Sequence, residues 1–253
     1  MTEIIDLSLS LENHATEPYP PTITAYDHAS GARRLGTLAG VDPRDFPDGA
    51  ALATETVTAS THSGTHVDAP WHYGPTSEGR PARRIDEIPL DWLYGPGVVL
   101  DVRHRGPGEE ITPADVTAAL ERTGRRLGPG DIALVQTGVD HYWGSHDYAA
   151  MQPGLGRAAT ELILDAGVRT IGIDAWGLDR PAAAMAESHR DGQAGALWPA
   201  HFLGREREYL QVEKLANLDR LPAAGAFTFA AFPVRVSAAS AGWCRAVAIV
   251  GEA

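Results

Sequence analysis

The sequence predicts an α/β domain organised around a mixed sheet, with helices over at least one face. Three observations carry this reading. Residues 97–175 alternate strand, helix and strand patterns. The last stretch of the chain is mostly strand-like, and the first 95 residues are loop-rich with many prolines, which argues against a regular doubly wound order. At 253 residues, 43% of them hydrophobic, the chain can fill one substantial core, so a single domain over 1–253 is expected.

The elements follow in order. Apolar, β-branched runs predict strands at 4–11, 53–60, 97–102, 131–137, 169–175, 226–237 and 245–250. In "TPADVTAALERTG", Thr112 is the N-cap of a helix, Pro113 its first residue, Asp115 the reciprocal member of a capping box and Gly124 the stop. "LGRAATELILDAG" reads as a second helix ending at Gly167. Residues 31–50, "GARRLGTLAGVDPRDFPDGA", read as a long surface loop.

Charge and composition exclude several classes of function. A net charge of -12 and a pI near 5.2 give no electrostatic basis for binding nucleic acid or an anionic membrane. Cys244 is the only cysteine, so no disulfide framework or thiolate metal cage forms within one chain. It reads as a small buried residue, not a nucleophile. The acidic, polar opening "MTEIIDLSLSLENH" lacks the pattern of a signal peptide, and no run approaches the roughly 20 apolar residues of a spanning helix. A soluble, cytoplasmic protein is expected.

The chemistry concentrates in "STHSGTHVDAPWHYG" (60–74), which holds His62, His66, His72 and Asp68 among glycines and a proline. His62 and His66 have the i, i+4 spacing of helical zinc sites. Ser63, Gly64 and Pro70 argue against that reading, because a helix through them would be poor. An extended path suits the stretch better, since positions 62, 66, 68 and 72 share parity and so one face of a strand. On such a path His72 lies about 13 Å beyond Asp68. Pro70 and Gly74 must then bend the chain back toward the site. Imidazoles and a carboxylate without thiolates suit Zn or Mn. Three protein ligands with an open position are the pattern of a catalytic site. Trp71, inside the motif, with Trp176 and Phe46, are candidates to contact substrate, against the ordinary alternative that each is a packing aromatic. His141 and His146 read as members of a polar-aromatic loop. No G-x-S-x-G occurs to support a serine hydrolase.

"HSGTHVDAPWH" resembles the H-x-G-T-H-x-D-x-P-x-H signature of the metal-dependent cyclase-like hydrolases, a family that includes bacterial kynurenine formamidase and isatin hydrolase. "IDLSLSL", "DIALVQTG", "TIGIDAWGLD", "VEKLANLDRL" and "RAVAIV" extend the resemblance over most of the chain. The resemblance implies a swivelling β/β/α fold and one or two divalent ions, Zn2+ or Mn2+. It implies His62, His66 and Asp68 as ligands, with Asp68 able to bridge, and His72 as general acid/base. His201 and Glu213, twelve residues apart, match the family's ligands to a second ion; Lys214 stands where the family often has Asn.

The activity so implied is hydrolysis of a C–N amide bond, in an aryl formamide or a cyclic amide such as isatin, by metal-activated water. The alternatives are a lyase, isomerase or lactone hydrolase on a related carbonyl substrate, or a metal-binding protein without turnover, which would have no use for His72. The expected partners are a small-molecule substrate and a second copy of the chain. The homodimer rests on the resemblance and on an amino-terminal region with too little periodicity to pack by itself.

Overall fold

A computed structural model of the chain describes residues 2–12, 17, 20–222 and 226–251. Nine strands form one mixed sheet: β1 (Glu3–Asp6), β2 (His66–Asp68), β3 (Tyr94–Asp101), β4 (Ile132–Gln136), β5 (Thr170–Ile173), β6 (Leu210–Glu213), β7 (Phe227–Ala230), β8 (Ala241–Trp243) and β9 (Val247–Val250). Their spatial order is β1-β9-β7-β3-β4-β5-β6-β2-β8. The four central strands, β3 to β6, run parallel, and every pairing outward from them is antiparallel.

The central strands are buried on both faces, and for that reason they read as continuous apolar runs. Val98 and Leu100 of β3 and Ala133 and Val135 of β4 belong to one core; their alternate neighbours Val99, Ile132 and Leu134 belong to another. Helices α3 (Pro113–Thr123) and α4 (Arg157–Asp165) cover the first of these faces. Helix α3 carries the predicted cap: Thr112 and Asp115 satisfy each other's backbone donors, and Gly124 closes the helix in the left-handed conformation at φ 65°.

Three readings of the sequence need correction. Of residues 31–50, read as loop, 31–39 belong to helix α1 (His28–Ala39), capped by Asp27 and closed by Gly40. Gly31 serves packing there: a Cβ on it would lie 2.1 Å from the Leu52 carbonyl oxygen. Among the described residues, the strand at Thr54–Thr58 pairs only with Thr22–Tyr26, in a separate two-stranded ribbon outside the main sheet. The run at 226–237 is regular strand only as far as Ala230. Strands β2, β6 and β8, three or four residues each, escaped the sequence pattern altogether.

These last three strands build the site. β2 lies between β6 and β8, and the antiparallel register sets His66 directly opposite Glu213. Among the described residues no helix is long and apolar enough to cross a membrane.

Candidate active site

Gly64 begins the construction. Its left-handed φ of 59° turns the chain so that its carbonyl accepts from Nδ1 of His66 at 2.8 Å. That bond places the proton on Nδ1 and leaves the Nε2 lone pair facing inward, which is how a neighbouring acceptor orients a metal-binding histidine. Asp68 follows two residues on, fully buried. His62 Nδ1 lies 2.8 Å from Asp68 Oδ1, and its Nε2 meets Ser240 Oγ at 3.0 Å.

His72 arrives by a different route from the extended path the spacing suggested. Pro70 is the first residue of a single helical turn, α2 (Pro70–Tyr73), which folds His72 back until its Nε2 is 4.0 Å from Asp68 Oδ2. Gly74 contributes by its size, since a Cβ there would press within 2.8 Å of Arg205 Nε. The same turn removes Trp71 from the site. Consecutive helical residues point about 100° apart, and the Trp71 ring lies instead under Arg84, 4.8 Å from its guanidinium carbon. Trp71 and Phe46 are not among the residues lining the cavity above the site, whereas Trp176 is.

His201 comes from helix α6 (Pro199–Leu203), and Glu213 from the end of β6. His201 Nε2 lies 3.6 Å from Glu213 Oε1 and 3.9 Å from Asp68 Oδ2. Its Nδ1 donates to Asp179 Oδ2 at 2.5 Å, and the same carboxylate accepts from the backbone N–H groups of Ala200 and His201. Sequence reasoning assigned no role to Asp179, although it lies in the quoted "TIGIDAWGLD". Gln152 holds the loop that carries it, donating to the carbonyls of Gly177 and Asp179 and accepting from Trp176 N.

All six of the predicted ligand and acid/base residues therefore meet around Asp68. By distance five of them fall into two triplets that share Asp68: His62, Asp68 and His72, and His66, Asp68 and Glu213, with the ligand atoms of each triplet within 4.8 Å of one another. His201 belongs to neither triplet but lies 3.9 Å from Asp68 and 3.6 Å from Glu213. This differs from the division the resemblance implied, because His72 keeps company with His62, while His66 faces Glu213.

The donor set fits a cation. His66 Nε2 and both oxygens of Asp68 are buried without a hydrogen bond of good geometry, although His66 Nε2 and Asp68 Oδ1 lie only 3.2 Å apart. Lone pairs that face one another at this range, away from water, are stable only with positive charge between them. The titration of these groups reflects the same crowding. Burial would raise Asp68, but the imidazoles of His72, His66 and His62 outweigh it and hold the carboxyl well below its usual range. Burial drives His72 down to about 4 against the pull of Asp68. Burial also opposes the charged form of His201, yet Asp179 and Glu213 lift it to about 9. Burial and then the charge of Asp68 raise Glu213.

Behind these groups lies a buried ion pair. Lys214 Nζ meets Glu17 Oε2 at 2.6 Å and donates to the His62 carbonyl at 2.8 Å, while Glu17 Oε1 accepts from Gly64 N. The pair ties the loop of His62 to the end of β6. Above the site opens a cavity of about 520 Å3 with Tyr73, Trp176, Trp198 and Phe202 in its walls. Cys244 is not in that wall, and burial pushes its thiol up to about 12, so it is no nucleophile.

The sequence profile of the Cyclase family matches residues 5–180, well over half of the chain. The chain belongs to the Cyclase family. Among its relatives, isatin hydrolase of Roseibium aggregatum is 29% identical over 220 residues, covering 81% of this chain and 78% of that protein. The Cyclase fold is equally plain in solved structures. Isatin hydrolase A from Ralstonia solanacearum superposes with a TM-score of 0.77 at 23% identity, covering 99% of this chain and 92% of that one. A structure described as a potential metal-dependent hydrolase with cyclase activity gives a TM-score of 0.66 at 21% identity, with both chains fully covered.

Proposed function

We propose that this Cyclase-family hydrolase cleaves a C–N amide bond in an aryl formamide or a cyclic amide, using Zn2+ or Mn2+. The observation that carries the reading is the convergence of four imidazoles and the Glu213 carboxylate on Asp68 at the floor of an aromatic-walled cavity. The 29% identity to isatin hydrolase supports the substrate class.

His62, His66, Asp68, His201 and Glu213 would hold one or two divalent ions. A divalent ion bound there would polarise a carbonyl and make water a nucleophile near neutral pH. The chain's own residues do the rest. His72, held neutral by burial and lining the cavity, accepts the proton from attacking water and returns it to the nitrogen as the bond breaks. An amide nitrogen cannot depart without that proton. Asp179 holds the His201 ring in one orientation. Trp176, Trp198 and Phe202 exclude water from a planar substrate.

The grouping of His72 with His62 and Asp68 favours a second reading, in which His72 is a ligand and proton transfer falls to His201. Elemental analysis and turnover of His72→Ala separate the two. A variant that keeps its metal but loses about 10²–10⁴-fold in turnover supports the acid/base role. The loss should be smaller on an ester, whose leaving group needs less protonation. Loss of the metal transfers the proton to His201.

We further propose that the working form is a homodimer. The arm formed by helix α1 and the Thr22–Tyr26/Thr54–Thr58 ribbon exposes Leu38 to 84% and Leu52 to 70%, and an isolated two-stranded ribbon is marginal in water. A second copy of the chain is the occupant this surface fits.

A further inference from the structure

The wall of the cavity above the site carries Lys214 and Arg180. Lys214 is paired with Glu17. Arg180 is not. Its Nη2 donates to the neutral hydroxyl of Ser188 at 3.2 Å, and among the described residues no carboxylate lies within ion-pair distance of it. In a chain of net charge -12 with 33 acidic residues, a half-buried guanidinium left without an acid is a conspicuous omission.

The backbone that carries Arg180 is held firmly. Gln152 donates to the carbonyls of Gly177 and Asp179, and Leu155 N donates to the Leu178 carbonyl. Gly154 packs so closely that a Cβ there would lie 2.1 Å from Arg180 N. Helix α5 (Ala182–Arg190) begins two residues later and supplies Ser188. The guanidinium is thus presented from a braced loop, in a cavity wall that also holds Trp176 and Trp198. A planar fork of donors in an aromatic-walled cavity matches a carboxylate borne on an aromatic ring.

We infer that Arg180 is a specificity-determining residue that selects substrates carrying a carboxylate on an aromatic body, in addition to the amide to be cleaved. The inference rests on the cavity's being the amide-hydrolysing site, and it narrows that reading from neutral cyclic amides toward acid-bearing aryl amides. Arg180 takes no part in bond cleavage. The carboxylate forms charge-assisted hydrogen bonds with the guanidinium and replaces the water that otherwise solvates it.

Paired probes test this on the metal-loaded protein. Calorimetry with anthranilate and its uncharged isostere anthranilamide reads recognition without turnover. Hydrolysis of the two N-formyl derivatives reads the reaction. Wild type should prefer the acid by about tenfold or more in both affinity and kcat/KM, the usual worth of a hydrogen bond to a charged group. Arg180→Gln should abolish the preference, chiefly through KM, and Arg180→Lys should keep part of it. The inference is overturned if wild type shows no preference, or if the preference survives in Arg180→Gln, as it would were the acid bound only at the metal. If neither formamide is cleaved while anthranilate binding still depends on Arg180, the aryl-formamide reading fails and the anion subsite stands.

Discussion

At Asp68 two fully buried carboxylate oxygens face four imidazoles, an arrangement whose desolvation cost is large unless cations offset it. The residues around it were legible in the sequence because they crowd into one short, helix-breaking stretch. Asp179 was not, because a lone aspartate after a strand has no local signature, and its role depends on a histidine 22 residues further on. That role is testable. Asp179→Asn retains shape but removes the charge that orients His201 and supports the first backbone donors of α6. Such partners are typically worth 10–100-fold in metal affinity or activity. A metal titration of the variant should show a loss of that size, and an unchanged affinity would mean that His201 is oriented by other contacts. Trp71 illustrates the opposite failure: its place inside the motif suggested the pocket, but one turn of helix separates neighbours in sequence onto different faces.

At the scale of elements, helix α3 could be read residue by residue because its signals are local. Thr112, Asp115 and Gly124 each act within four positions of their partners. Helix α1 could not, since Gly31 is there for contact with Leu52, a tertiary fact absent from any window of sequence. Strands β2, β6 and β8 are too short to show a period, yet their register delivers Glu213 to His66. The cap of α3 also predicts a pH dependence. Burial would raise Asp115, but hydrogen bonds from Thr112, His104 and Arg105 prevail and hold its carboxyl well below the usual carboxylate range. A carboxyl depressed on folding contributes stability above its unfolded pKa, and that contribution is lost as pH falls below about 4. Thermal unfolding of Asp115→Asn should therefore show a smaller decline between pH 5 and pH 2 than wild type, with lower stability at pH 7. Parallel curves for the two proteins would mean that the carboxylate has no net role.

For the whole molecule, the mixed sheet was foreseeable from the alternation between 97 and 175, because the strands there are buried on both faces. The arm at 20–58 was not, because its two strands pair with each other and not with the main sheet. Its exposed leucines lead to the expected dimer. Light scattering should give twice the 26.9 kDa of one chain, and Leu38→Asp with Leu52→Asp should shift the mass toward the monomer. A monomeric wild type at micromolar concentration would remove the arm's proposed partner. The central claim, that Asp68 and its neighbours bind a divalent ion that the chain uses to cleave an amide, is tested most directly by metal titration of activity. Chelator-treated protein is given increasing Mn2+ or Zn2+, and hydrolysis of N-formyl aryl amines and isatin is followed at each addition. Activity should be absent without metal and should saturate at one or two equivalents per chain. Hydrolysis that is indifferent to metal, or a fully loaded protein that cleaves none of these amides, would contradict the account.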